Sequence, residues 1–158
     1  MCVLETVAHK LSVQGHGWQR GSGVGPEISS AELAGMLAGL PEPAVWLAYA
    51  RLTEDAAAGR ALYARLHVMA SEWSHRDGWD VPRGSERVGK LARLVRDDLV
   101  LPRPLLSERA ASEWIGVSRR QRRQAWQGRH AALLAVGMNW EWALRRKLSR
   151  ELWGRQMV

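Results

Sequence analysis

Residues 107–126 read SERAASEWIGVSRRQRRQAW. Arg119, Arg120, Arg122 and Arg123 fall within five positions, directly after Gly-Val-Ser. Like charges on neighbouring helical positions repel by a few tenths of a kcal/mol per pair, so the arrangement implies something negative opposite. The residues before it predict a helix. Ser107 can cap it, Glu108 suits the positive end of its dipole, and Ala110, Ala111, Trp114 and Ile115 give it an apolar face. Gly116 is free to take positive φ at the C-terminal turn, Val117 can fill the corner, and Ser118 can cap a second helix. This is the layout of a helix-turn-helix, whose second helix turns its N-terminal part toward the major groove.

The chemistry accounts for the arginines. Guanine offers two major-groove acceptors to a guanidinium fork, and adenine pairs with a glutamine amide. Further arginines neutralise phosphates and release counterions. The predicted DNA-binding set is Ser118, Arg119, Arg120, Gln121, Arg122, Arg123, Gln124 and Arg129, with Arg120 and Gln121 on bases and Arg119 and Arg123 on phosphates. Arg122 departs from the pattern, because such units usually place an apolar residue there. Either the helix is rotated, with Ala125 and Trp126 inward, or Arg122 lies along the core edge. The competing reading is a basic amphipathic helix packed on a bundle.

Charge supports a basic module. Residues 1–100 carry 11 Lys and Arg against 12 Asp and Glu, whereas residues 101–158 carry 12 against 4. The whole net charge of +7 therefore sits in the last third, and the usual partner of such a module is nucleic acid, here double-stranded DNA. The chain has 158 residues, 46% hydrophobic, enough for one domain with a core. No apolar run approaches the roughly 18 residues of a membrane span, so no membrane partner is expected. MCVLETVAHKLSV has no long apolar region of a secretory signal, and the single Cys2 excludes a disulfide framework and a Cys-rich zinc site. A cytoplasmic location fits both.

The rest of the chain reads as all-α. Nothing alternates with period two over a useful length. Four segments are expected: a flexible Gly-rich segment at 1–28, a helical body at 29–104, the basic helix-turn-helix at 105–137, and an amphipathic helix at 138–158. The first rests on QGHGWQRGSGVGP at 14–26, which has no Gly-Lys-Ser/Thr to make it a phosphate loop. In the body, Ser29 or Ser30 caps a first helix, and Val45, Tyr49 and Leu52 form the face of a second. Thr53 caps a third with the stripe Leu62, Leu66, Met69 and Trp73. A fourth carries Val88, Leu91, Ala92, Val95 and Leu99. The last helix is expected to follow Gly137, with Asn139 as cap and Trp140, Leu144, Leu148 and Leu152 facing inward.

Other signals point nowhere specific. His67, Glu72 and His75, with Asp77 and Asp80 in a loop, are too few and too scattered for a metal site. No Ser/His/Asp or Cys/His constellation supports an enzyme, and no cofactor motif is present. Asp97 and Asp98, about 100° apart on a helix, read as a solvated pair. The nine tryptophans read mainly as core.

Two stretches, ERVGKLARLVRDDLV at 86–100 and LSERAASEWIGVSRRQRRQAWQGRH at 106–130, carry a resemblance. The chain resembles late-gene antitermination proteins of lambdoid phages, a helical family with members that end in a helix-turn-helix similar to a sigma-factor DNA-binding region. The resemblance implies a DNA site near a promoter, contact with RNA polymerase, and residues 119–129 as the DNA-reading helix. Some relatives carry a zinc-binding insertion, for which this sequence lacks the cysteines. A second class of function stays open at this point: a non-catalytic helical interaction protein that binds RNA or an acidic protein through the same basic region. The residues set no oligomeric state.

Overall fold

Ser29 opens the first helix with a reciprocal cap. Its hydroxyl accepts from the Glu32 N–H, and its own N–H donates to the Glu32 carboxylate at 2.8 Å. The computed structural model describes residues 28–79, 84–101 and 105–156, and all regular structure among them is helical. Six helices follow in order. They are α1 Ser30–Leu37, α2 Glu42–Leu52, α3 Ala56–Arg76, α4 Gly84–Val100, α5 Glu108–Ile115, and a long α6. Helix α6 starts as Arg119–Gln121, widens into a π turn at Arg122–Trp126, and continues as Gln127–Gln156. The all-α reading is correct.

The α2–α3 connection differs from the sequence reading. Asp55, not Thr53, caps α3, accepting from the N–H groups of Ala57 and Ala58 at 2.7 and 3.0 Å. A carboxylate two residues on outcompetes a hydroxyl for these donors. Thr53 instead ends α2, its hydroxyl donating to the Tyr49 carbonyl at 2.7 Å. Glu54 makes the reversal between them with φ 54°, a left-handed conformation that side chains resist.

Helix α4 lies at the centre, against α3, α5 and α6, and α6 packs across α1, α2 and α4. Its expected stripe, Val88, Leu91, Ala92, Val95 and Leu99, is buried throughout, joined by Leu94. On α2 the buried face is Ala44, Leu47, Ala48 and Leu52, while Val45 and Tyr49 sit half-buried at its edge. Small alanines let α2 approach its neighbours closely, and a count of large apolar residues passes over them. Helix α3 buries Leu62, Leu66 and Ala70, leaving Met69 and Trp73 at the margin. Ile28 is 2% exposed and belongs to the core, although it was placed at the end of the flexible segment 1–28. The rest of that segment lies outside the described residues.

The largest correction concerns the boundary at 137/138. Helix α6 runs straight through Gly137 and Asn139, so residues 105–137 and 138–158 share one helix instead of forming two units. Gly137 is there for space. A Cβ at this position would lie 2.2 Å from Leu99 Cδ1 and 2.9 Å from Cδ2, so the glycine allows α6 to cross α4 at close range. One turn further, the buried Glu141 carboxylate accepts from Arg51 of α2 at 3.0 Å and from Arg145 Nε at 2.8 Å. Leu133, Leu144 and Leu148 complete the inward face, with Trp140 and Leu152 at its edge.

Candidate nucleic-acid interface

The turn between α5 and α6 is built by local hydrogen bonds. Ser107 caps α5, accepting from the Ala110 N–H at 3.2 Å. Gly116 adopts φ 77°, ψ 41°. Its N–H donates to the Glu113 carbonyl at 3.2 Å, and the Val117 N–H donates to the Ser112 carbonyl at 3.1 Å. These two bonds close a Schellman turn, which only a residue tolerant of positive φ can make without strain. Val117, 9% exposed, fills the corner under the turn. Ser118 then opens α6 with a second reciprocal cap: its hydroxyl accepts from the Gln121 N–H at 3.1 Å, and its N–H donates to Gln121 Oε1 at 2.9 Å. Beneath the turn Ala111, Ser112 and Ile115 are buried. Trp114, expected on this apolar face, is 41% exposed and donates through Nε1 to the Lys90 carbonyl.

The predicted DNA-binding residues divide by environment. Arg119, Arg120 and Gln124 are exposed, and no hydrogen bond or ion pair engages their side chains among the described residues. Ser118 and Gln121 are exposed too, but each caps the helix through its side chain. Arg123 is exposed and held by Glu108: Nε donates at 2.6 Å and Nη2 at 3.3 Å to its two oxygens. That hydrogen bond, opposed by partial burial and helped by the charges of Arg123, Arg119 and Arg122, lowers the Glu108 pKa. Glu108 is therefore an ionised anchor between α5 and α6, and it sets the direction of the Arg123 side chain.

Two predicted members leave this face. Arg122 is 6% exposed, and Trp126, four residues on, is 3% exposed. Its Nε and Nη1 make no hydrogen bond. Burial pulls its pKa below the ordinary arginine value, while the Glu108 and Asp98 charges oppose that. The first packing alternative holds, with Trp126 inward and Ala125 partly buried against the core; the second does not, because Arg122 is buried with its guanidinium instead of lying along the core edge. Arg129 is also withdrawn from the face. Its guanidinium carbon lies 4.5 Å from the Trp79 ring centre and 4.8 Å from that of Trp126. Burial lowers its pKa, against the pull of Asp77. Arg129 serves as a cation–π link from the turn after α3 to α6.

Sequence reasoning missed several partners. Glu108 reads from the sequence only as a dipole residue, and nothing local singles out Trp79. Asp98, read as solvated beside Asp97, is buried instead. His130 Nε2 lies 2.9 Å from its Oδ2, with side chains 12% and 1% exposed. Asp97 pairs with Arg96. Not all tryptophans are core: Trp114, Trp142 and Trp153 are exposed. Only the Trp140-to-Trp142 spacing carried a signal, because residues two apart on a helix point to opposite sides.

Among the described residues no three His, Cys, Asp or Glu side chains come together as a metal cluster. No helix among them is long and apolar enough to cross a membrane. Comparison with protein families, curated proteins and solved structures finds no match to this chain.

Proposed function

We propose that the chain is a sequence-specific, non-catalytic regulator of transcription that binds duplex DNA through the first turns of α6. The observation that carries this reading is the pairing of a rigid turn with free recognition groups. A Schellman turn and a reciprocal cap fix the start of α6, and Arg119, Arg120 and Gln124 project from it with no internal bonds among the described residues. A helix start fixed in advance loses little backbone freedom on binding, so only the side-chain rotamers remain to be ordered, at about 0.5–1.5 kcal/mol each. Arg120 and Gln124, four residues apart on one face, are the base-reading pair in this proposal. Gln124 replaces Gln121, whose amide oxygen is committed to the Ser118 N–H. Arg119, and Arg123 guided by Glu108, take phosphates.

The resemblance to late-gene antitermination proteins extends the proposal to a bacteriophage regulator in the host cytoplasm, acting on RNA polymerase near a promoter. Selection of bound duplexes from a random pool tests the DNA reading. A defined motif should emerge with the natural chain and fade with Arg120→Ala. A pool without a motif, together with retention of RNA or of acidic protein that Arg120→Ala abolishes, would replace it with the interaction-protein reading.

A further inference from the structure

Beyond the reading turns, the outward face of α6 changes character. Ala131, Ala135, Met138 and Trp142 succeed one another at spacings of four, three and four, and all are exposed. That is the spacing of a helix-pairing seam. Met138 is 50% exposed and Trp142 61%. Arg146 lies over the Trp142 ring at 5.1 Å, so the two side chains hold each other in place. Eleven residues on, Trp153 is 70% exposed on the same side, about 16 Å away at 1.5 Å per residue. Methionine, tryptophan and arginine are the types enriched at protein interfaces and among their energetic centres.

Charge and area decide the occupant. Arg146 and Arg150 are exposed on this stretch. Of its two carboxylates, Glu141 is buried between arginines, and Glu151 is paired with Lys147 at 2.9 Å. A second copy would bring the same cations against this face. A tryptophan contributes roughly 150–250 Å² at most, so the seam offers a few hundred Å², short of the roughly 800 Å² per partner of a standard interface. A single helix laid along a seam matches that size. We propose that residues 131–153 dock an acidic amphipathic helix from another protein. Its apolar residues would sit on Met138 and Trp142, and its carboxylates would face Arg146 and Arg150.

The test is a selection of random 20-residue displayed peptides on the full-length chain, counter-selected on Trp142→Ala. The expected pool is acidic, with apolar residues three and four apart. A labelled member should bind about tenfold more weakly to Trp142→Ala and to the Arg146→Glu, Arg150→Glu pair, each with unchanged circular dichroism. A pool without acidic bias, or no peptide that depends on Trp142, overturns the proposal. Two other results also overturn it. Concentration-dependent dimers in sedimentation, lost in Trp142→Ala, would assign the face to a second copy. A single-stranded oligonucleotide whose binding Trp142→Ala abolishes would assign it to nucleic acid.

Discussion

Replacing Gly137 with alanine should destabilise the bundle, although alanine is the better helix former by about 1 kcal/mol. The new Cβ would stand 2.2 Å from Leu99 Cδ1 and within 3.0 Å of its Cδ2 and Cγ. Comfortable carbon contacts lie near 3.5–4.0 Å, so one side must give by more than 1 Å. Leu99 is 2% exposed and has no solvent to swing into. Overpacking of this kind costs about 1–3 kcal/mol, which exceeds the propensity gain. The net loss is therefore up to about 2 kcal/mol, or several degrees in Tm for a chain of this size. Gly128, on the same helix, is the control. Nothing lies within 4 Å of its Cβ position, so Gly128→Ala should add about 0.5–1 kcal/mol. Urea unfolding followed at 222 nm measures both. Leu99→Ala in the Gly137→Ala background should cost less than it does alone, because it removes the clashing atoms. Equal stabilisation by the two glycine substitutions would refute the close crossing of α4 and α6.

Gly116→Val forces a β-branched residue to φ 77° and should cost at least about 1–3 kcal/mol, read as a lower melting temperature, together with weaker duplex binding. Arg122→Met keeps the volume and removes a buried guanidinium with two unbonded nitrogens; stability should hold or rise by about 1 kcal/mol in chemical denaturation. Glu108→Gln should release Arg123 from its guide and weaken binding to all duplexes alike, and Arg123→Ala should cost less in that background than in the natural chain. The pH dependence follows from the lowered Glu108 pKa: the ion pair's contribution is complete above the ordinary carboxylate range and is lost as pH falls through the depressed folded value. An NMR titration of Arg123 should show it released there in the natural chain and already released in Glu108→Gln.

Local chemistry made the helices and the turn legible. Ser107, Gly116 and Ser118 act through neighbours within five residues, so their roles could be read directly from the sequence. The α4 stripe was equally plain, because large apolar residues recur on one face of a helix buried at the centre. What failed depended on distant partners. Gly137 looked like a helix end because a glycine's need for space is invisible without Leu99 opposite. Arg122 and Arg129 enter the DNA-binding set because charge suggests solvent, whereas Arg122 is buried and the Arg129 guanidinium lies over the Trp79 and Trp126 rings. Glu108 lies fifteen residues before the arginine it holds, beyond any local pattern. Of the basic cluster, its position and the exposure of Arg119, Arg120 and Gln124 were readable.

The central claim is that the start of α6 reads a groove. Fluorescence anisotropy of alanine variants tests it most directly, on a selected duplex and its scrambled counterpart at several salt concentrations. Arg120→Ala and Gln124→Ala should each cost about 1–3 kcal/mol on the selected duplex and relax preference at one base position. Arg119→Ala and Arg123→Ala should weaken both duplexes alike and lower the salt slope by about one unit each. Arg122→Met should leave the preference between duplexes intact. If the selected and scrambled duplexes bind equally, and all four alanine variants lose affinity uniformly, the helix is an electrostatic surface and the groove-reading account is wrong.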